Sequence, residues 1–140
     1  MQIVIFSLMD KLYAIPSDDV EEITGKVAWT DVPKTPNWLL GLVNLRGTVI
    51  SLIHFEQFLN FTRTSQETEN LCYNNTVIVK NGKTKTAFAV DRVEEVIHLD
   101  EEELQLIGNQ DTVQGVFSRK DQIVNLIHLP TLFSKNEGSI

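Results

Sequence analysis

The chain has 140 residues, the usual size of one domain, and at that length folding buries roughly two-thirds of the unfolded surface. Hydrophobic residues make up 42% and charged residues 22%, as in an ordinary soluble globular protein, and no apolar run approaches the length of a membrane span. The net charge of −7 argues against non-specific binding to nucleic acid or anionic lipid, and a single cysteine, Cys72, excludes an intramolecular disulfide or a cysteine-based metal cluster.

Gln2 to Leu8 alternates into an apolar strand, Met9-Asp10-Lys11 is a polar break, and Leu12 to Ile15 returns as a second strand. Met1 leads straight into the first strand with no basic stretch, so no leader is expected and the cytosol is the natural setting. Pro16 ends the hairpin, and Ser17 or Asp18 can cap a short turn. In Val20-Glu21-Glu22-Ile23 the pattern puts Val20 and Ile23 on one side and the glutamates toward water. Lys26 to Val32 is expected to be a further strand, with Trp29 its largest residue. After the rigid Pro33-Lys34-Thr35-Pro36, residues Asn37 to Leu40 fit one helical turn that packs Trp38 into a core.

The central stretch runs from Gly41 to Phe55 and reads as two apolar strands about Asn44-Leu45-Arg46-Gly47. Gly47 takes positive φ without steric cost, so Arg46-Gly47 is expected to form the tight turn and hold a cation at the tip. That cation is either a solvated loop charge or a recognition group with five donors in a planar fork. Glu56 to Phe61 fits a short helix with Phe55, Phe58, Leu59 and Phe61 inward, and Thr62 to Asn75 is a polar connection.

The second half repeats the scheme. Gly115 to Leu129 matches the central stretch at an offset of 74 residues, with Leu-Ile-His before an apolar residue in both. Upstream, Val77-Ile78-Val79 matches Val4-Ile5-Phe6, and Val93-Glu94-Glu95-Val96 matches Val20-Glu21-Glu22-Ile23. One domain over residues 1–140, built of two pseudo-copies at roughly 2–61 and 75–135, is the expected organisation. Within the second copy, Asn81-Gly82 signals a hairpin turn between Thr76–Val79 and Thr84–Val90. Asp100 to Ile107 fits a short helix capped by Asp100, with Glu103 as the capping-box partner. Pro130 to Phe133 closes the fold, and Ser134 to Ile140 is expected to fray.

Three histidines, His54, His98 and His128, are the candidates for chemistry. No His-x-x-x-His spacing supports a metal, so each reads as a strand-end residue with one nitrogen hydrogen-bonded. There is no Gly-x-Ser-x-Gly elbow or phosphate-cradling glycine loop, and Cys72 has no neighbouring base. Lys80, Lys83 and Lys85 form a small basic cluster without the interleaved aromatics of a single-strand nucleic-acid binder. The residues therefore describe a β-rich, duplicated interaction module with no catalytic residues and no cofactor or metal site.

Gly41-x-x-Asn44-Leu45-Arg46-Gly47 before an apolar strand resembles the central motif of CheW-type chemotaxis coupling proteins. The resemblance extends through Val4–Leu8, Tyr13–Ile15, Thr35-Pro36, Val90-Asp91-x-Val93 and Leu126-Ile127-x-Leu129. It implies two interlocked five-stranded SH3-like β-barrels, all-β apart from short helices. It further implies a non-enzymatic adaptor of bacterial chemotaxis that couples chemoreceptors to the histidine kinase CheA. The partners implied are the receptor's cytoplasmic helical hairpin and the kinase's regulatory domain. The expected protein is a monomer when free, cytoplasmic at receptor arrays beneath the inner membrane, without nucleic acid or membrane insertion.

By the same resemblance Glu22, Gly41 and Arg46 lie on or support the receptor-binding side, and Val77, Ile78, Ala87 and Val96 line its groove. Val20 and Val93 sit nearer the kinase contact. The family usually has Pro and Asp where this chain has Ser51 and His54, and its C-terminal helix is read here as missing or shortened. A module of another pathway such as twitching, a competitor of the coupling protein, a histidine-based metal enzyme and a nucleic-acid-binding barrel remain alternatives.

Overall fold

A computed structural model describes residues 1–60, 73–107 and 112–136. The connection between the two halves, with Cys72 and Phe61, and the last four residues lie outside the described residues. The elements are β1 Gln2–Leu8, β2 Lys11–Pro16, β3 Val20–Thr24, β4 Leu39–Leu45, β5 Thr48–His54, α1 Phe55–Asn60, β6 Asn75–Asn81, β7 Thr84–Val90, β8 Arg92–His98, β9 Gln105–Leu106, β10 Val113–Arg119, β11 Gln122–Ile127 and α2 Leu129–Asn136. Short 3-10 turns cover Ser17–Asp19 and Glu101–Glu103.

The strands form two sheets, in the orders β8-β1-β2-β11-β10-β9 and β3-β6-β7-β5-β4. Each sheet draws strands from both halves of the chain, so the two barrels interlock. Each contains one parallel junction, β11 on β2 and β5 on β7, amid antiparallel neighbours. The two junctions match in register: Asn125 pairs Tyr13 where Ser51 pairs Thr86, and Leu126 pairs Ala14 where Leu52 pairs Ala87.

The central strands are buried on both faces, which is why they read as unbroken apolar runs. In β1, Val4, Phe6 and Leu8 face the core between the sheets, while Ile3 and Ile5 face the interior of their own barrel. In β6 and β7, Val77, Val79, Phe88 and Val90 face the central core, and Ile78, Ala87 and Ala89 fill the second barrel. The helices plug the central core. Phe55 packs edge-on to Phe6 at 5.1 Å and to Phe88 at 4.7 Å, and Phe58 packs against Trp38 at 4.8 Å. The expected core placement of Trp38 holds.

Hairpin turns set the barrel ends. Arg46-Gly47 has φ of +51° and +87°, the two positive values that a type I′ turn needs. Lys120-Asp121 and Met9-Asp10 also have both φ values positive. The β6–β7 turn lies one residue later than expected: Asn81 pairs Thr84, so the loop is Gly82-Lys83. Only Gly82 has positive φ there, as in a type II′ turn.

Several other local expectations are corrected. The two glutamates of β3 do not both face water. A bulge between Val20 and Glu22 keeps Val20 and Ile23 on one side, opposite Val79 and Val77, and turns Glu22 to the other side opposite Ile78; Ile23 is exposed and Glu22 half-buried. Residues 26–32 make no strand, only an isolated bridge of Thr30 to Leu42. Residues 37–38 form a tight turn closed by the Leu39 N–H on the Pro36 carbonyl at 3.0 Å, and β4 starts at once. Neither Ser17 nor Asp18 caps its turn, whose first flank is Pro16, and Asp100 makes no capping bond either. The helix expected over 100–107 is one 3-10 turn followed by β9, because pairing with β10 satisfies more backbone than a short isolated helix could. Finally, a C-terminal helix is present. Pro130 stands in the first turn of α2, where its missing N–H costs nothing, and Leu132 and Phe133 pack into the central core.

Candidate functional site

The β4–β5 tip reaches across the open end of its barrel to the β3 edge. Arg46 Nη1 lies 2.7 Å from Glu22 Oε1, and Nη2 donates to Oε2 at 2.9 Å, a bidentate fork. The Glu22 side chain is 29% exposed and Arg46 72%, so the carboxylate is tucked in while the outer face of the guanidinium stays open. Hydrogen bonding to Glu22, then its charge, raises the affinity of Arg46 for its proton above an already high value. The turn itself is fixed by the Gly47 N–H, which donates to Asn44 Oδ1 at 3.0 Å. The motif residues thus have separate jobs: Asn44 closes the turn, Gly47 permits it, and Arg46 is presented by it.

Gly41 is buried and never reaches the surface. A Cβ there would stand 2.4 Å from the Thr30 carbonyl oxygen and 2.6 Å from Trp29 Cδ1. The glycine lets residues 29–30 cross β4 and exchange two 2.9 Å backbone hydrogen bonds with Leu42. Tyr73 holds the same crossing segment: its hydroxyl donates to the Val27 carbonyl at 3.0 Å, and its ring lies 6.1 Å from Trp29. Burial pushes its phenol pKa up.

The remaining expected site residues separate into two groups. Val77, Ile78 and Ala87 are fully buried, so they do not line an open groove; they support the β3 and β5 neighbours from beneath. Val96 is 54% exposed, but it stands on β8 in the other sheet. Val20 and Val93 are half-buried against the central core, at equivalent places on the edge strands β3 and β8. The Asn75 side chain joins these edges, accepting from the Val93 N–H at 2.9 Å and donating to the Thr24 carbonyl at 3.3 Å.

A second charged pair escaped the sequence reading. Glu95 on β8 accepts from Arg119 Nη2 at 2.6 Å and lies 3.6 Å from Lys120 Nζ. Arg119, above all through its hydrogen bond, holds the Glu95 carboxyl below the ordinary carboxylate value. The signal was available: Glu95 is the repeat counterpart of Glu22, and Lys120 that of Arg46.

The histidines have structural partners. His54 Nδ1 accepts from the Gln57 N–H at 3.3 Å, three residues into α1, so the imidazole caps that helix. His128 Nδ1 lies 2.7 Å from Thr131 Oγ1 at the matching place before α2. His98 Nε2 lies 3.1 Å from Asp100 Oδ1. Among the described residues no three His, Cys, Asp or Glu side chains gather to hold a metal ion.

A family model described as CheW-like domain matches residues 2–137. The chain belongs to the CheW-like domain family. This CheW-like chain is 28% identical to the chemotaxis protein CheW of Helicobacter pylori, over 97% of its own length and 83% of the relative's. It is 30% identical to the chemotaxis protein CheW of Klebsiella aerogenes, over 99% and 85%. The crystal structure of the scaffolding protein TtCheW from Thermoanaerobacter tengcongensis is similar with a TM-score of 0.81 and 28% identity, covering 99% of this chain and 96% of that one. The CheW-like architecture thus extends from β1 into α2. No described helix is long and apolar enough to cross a membrane.

Proposed function

We propose that this CheW-like domain is a non-enzymatic scaffold of chemotaxis signal transduction, coupling chemoreceptors to a CheA-type histidine kinase. The observation that carries the reading is the fixed guanidinium of Arg46 at a barrel end, in a chain whose family match runs over residues 2–137. A coupling protein needs surfaces that are already formed, because each ordered side chain costs binding free energy. The bidentate pair with Glu22 orders Arg46 before any partner arrives.

In this reading the receptor's cytoplasmic helical hairpin lies against the side that carries Glu22 and Arg46, with exposed Val96 offering apolar contact and Gly41 maintaining the backbone crossing. The kinase's regulatory domain meets the edges near Val20 and Val93. Residues 2–61 and 75–135 act as two copies of one unit, a division supported by the matching registers of the two parallel junctions. The domain works as a monomer when free, in the cytoplasm at receptor arrays.

The test is a calorimetric titration with the kinase regulatory domain, then with a receptor cytoplasmic fragment, both from the same cell. Binding to both is the expected result. Binding to the kinase alone would make the chain a competitor of the coupling protein, and binding to neither would reject the reading.

A further inference from the structure

The parallel pairing of β5 with β7 brings two hairpin tips to the same end of one barrel. Ser51 lies beside Thr86, so the starts of the two strands, and with them Arg46-Gly47 and Gly82-Lys83, are neighbours. This end carries Arg46, Lys80, Lys83 and Lys85. Two carboxylates of β3 sit among them. Glu21 lies 3.8 Å from Lys80 and 3.9 Å from Lys85, and Glu22 takes Arg46. Asp19 is close enough to Lys80 to feel its charge.

Beside the carboxylates of β3, the lysines are the more exposed charges of the rim. The side chains of Lys80 and Lys85 are 53% and 46% exposed, against 35% for Glu21, and Lys83 stands exposed at the turn. The lysines project further than Glu21 and Glu22, on a chain whose net charge is −7, although Glu21 is itself exposed and Asp18 stands exposed beside Asp19. Val49, 60% exposed, adds an apolar contact on the strand next to the tip. The matching end of the other barrel differs. There Lys11, Arg119 and Lys120 are interspersed with the exposed carboxylates of Asp10 and Asp121.

We propose that the rim formed by Arg46, Lys80, Lys83 and Lys85 is a docking surface for a carboxylate-rich segment of the receptor hairpin, and that the three lysines select among receptors by charge. This rests on the coupling reading above. Complementary charge steers encounter and rejects like-charged competitors more than it adds affinity. A protein segment suits the rim better than a nucleic acid, because Val49 has apolar surface to bury.

The experiment compares the wild-type domain with Lys80→Gln/Lys83→Gln/Lys85→Gln against a receptor cytoplasmic fragment from the same cell. Titrations run at about 50 mM and about 500 mM NaCl, either side of the range where exposed charges are screened. The expected result is about a tenfold loss of affinity at low salt that shrinks at high salt, with unchanged thermal unfolding. The single variant Lys83→Gln gives a smaller loss in the same direction and serves if the triple variant folds poorly. Wild-type binding that none of the lysine variants weakens overturns this inference and leaves the coupling reading standing. Failure of the wild-type protein to bind overturns the coupling reading, and the inference with it. Equally tight, lysine-dependent binding of a short single-stranded oligonucleotide would make the rim a general polyanion site and overturn the receptor assignment.

Discussion

Glu22 and Glu95 hold the same post in the two barrels: each is an edge-strand carboxylate gripped by cations from the hairpin tip that folds over it. Glu22 takes the two terminal nitrogens of Arg46, and Glu95 takes Arg119 with Lys120 behind it. The equivalence is imperfect in a useful way. The first tip presents one arginine with an open outer face, whereas the second tip shares its carboxylate between two residues.

Arg46→Ala therefore separates binding from folding. The residue is exposed, and its pair contributes little to stability because solvent screens it. The expected outcome is a thermal midpoint within a few degrees of the parent and a loss of receptor affinity of about tenfold or more. Glu22→Gln should give a smaller loss by leaving the guanidinium unclamped. A large fall in thermal midpoint, with binding retained per folded molecule, would make the pair structural.

Gly41→Ala should fail for a backbone reason. Its Cβ would meet the Thr30 carbonyl at 2.4 Å, and neither crossing segment can swing away without losing its bridge. A cost of about 1–3 kcal/mol in denaturant unfolding is expected, as for other overpacked sites. Gly115→Ala should cost less. The approach there is 2.8 Å to the Gln105 carbonyl, and its other close neighbours are side-chain atoms of Leu104, which can rotate. Equal, negligible effects would mean that the crossings are looser than drawn.

The β4–β5 turn was legible because its requirement is local, whereas the β6–β7 turn was placed one residue early. Arg46-Gly47 needs positive φ and contains a glycine that supplies it. The partner of Arg46 was not legible, because a bulge in β3 sets which of Glu21 and Glu22 turns toward the tip, and alternation counted along the sequence misses the extra residue. The parallel junctions join strands that belong to no common hairpin, so neither shows in a local pattern. The assignment of Val77, Ile78 and Ala87 to a groove failed where strands are buried on both faces, since such runs carry no record of which side meets solvent. Pro130 was read as a closing residue, although proline is also compatible with the first turn of a helix, which is where α2 uses it.

Val96 and Val77 should respond oppositely to the same change. Val96→Lys places an ammonium at an exposed edge-strand position, so the domain should remain folded while receptor binding falls. Val77→Lys puts the charge into the core beside Phe88 with no room to escape, at a cost of several kcal/mol, comparable with the whole stability of many domains. Circular dichroism melts of the two variants, read beside the receptor titration, check the contrast. A Val96→Lys protein that binds normally would remove Val96 from the receptor surface.

Acid should act on Asp19 and Glu95 with opposite signs. Burial, then the charge of Asp18, raises the Asp19 pKa above 3.8, with His128 and Lys80 only partly offsetting this. Protonated Asp19 thus favours the fold; that contribution is full below about 3.8 and is lost as pH rises through the raised folded value. Glu95 is held below 4.5 by Arg119, so its contribution is full above 4.5 and is lost as pH falls through the lowered folded value. At neutral pH Asp19→Asn should raise the thermal midpoint, and the gain should vanish toward pH 4, below which the parent carboxyl is itself neutral. Glu95→Gln should lower the midpoint at neutral pH and converge with the parent only at more acid pH. Melting each variant beside the parent from pH 7 down to about pH 3 checks both signs. A neutral-pH loss of stability in Asp19→Asn would mean that the ionised carboxylate is held by partners stronger than the burial that opposes it.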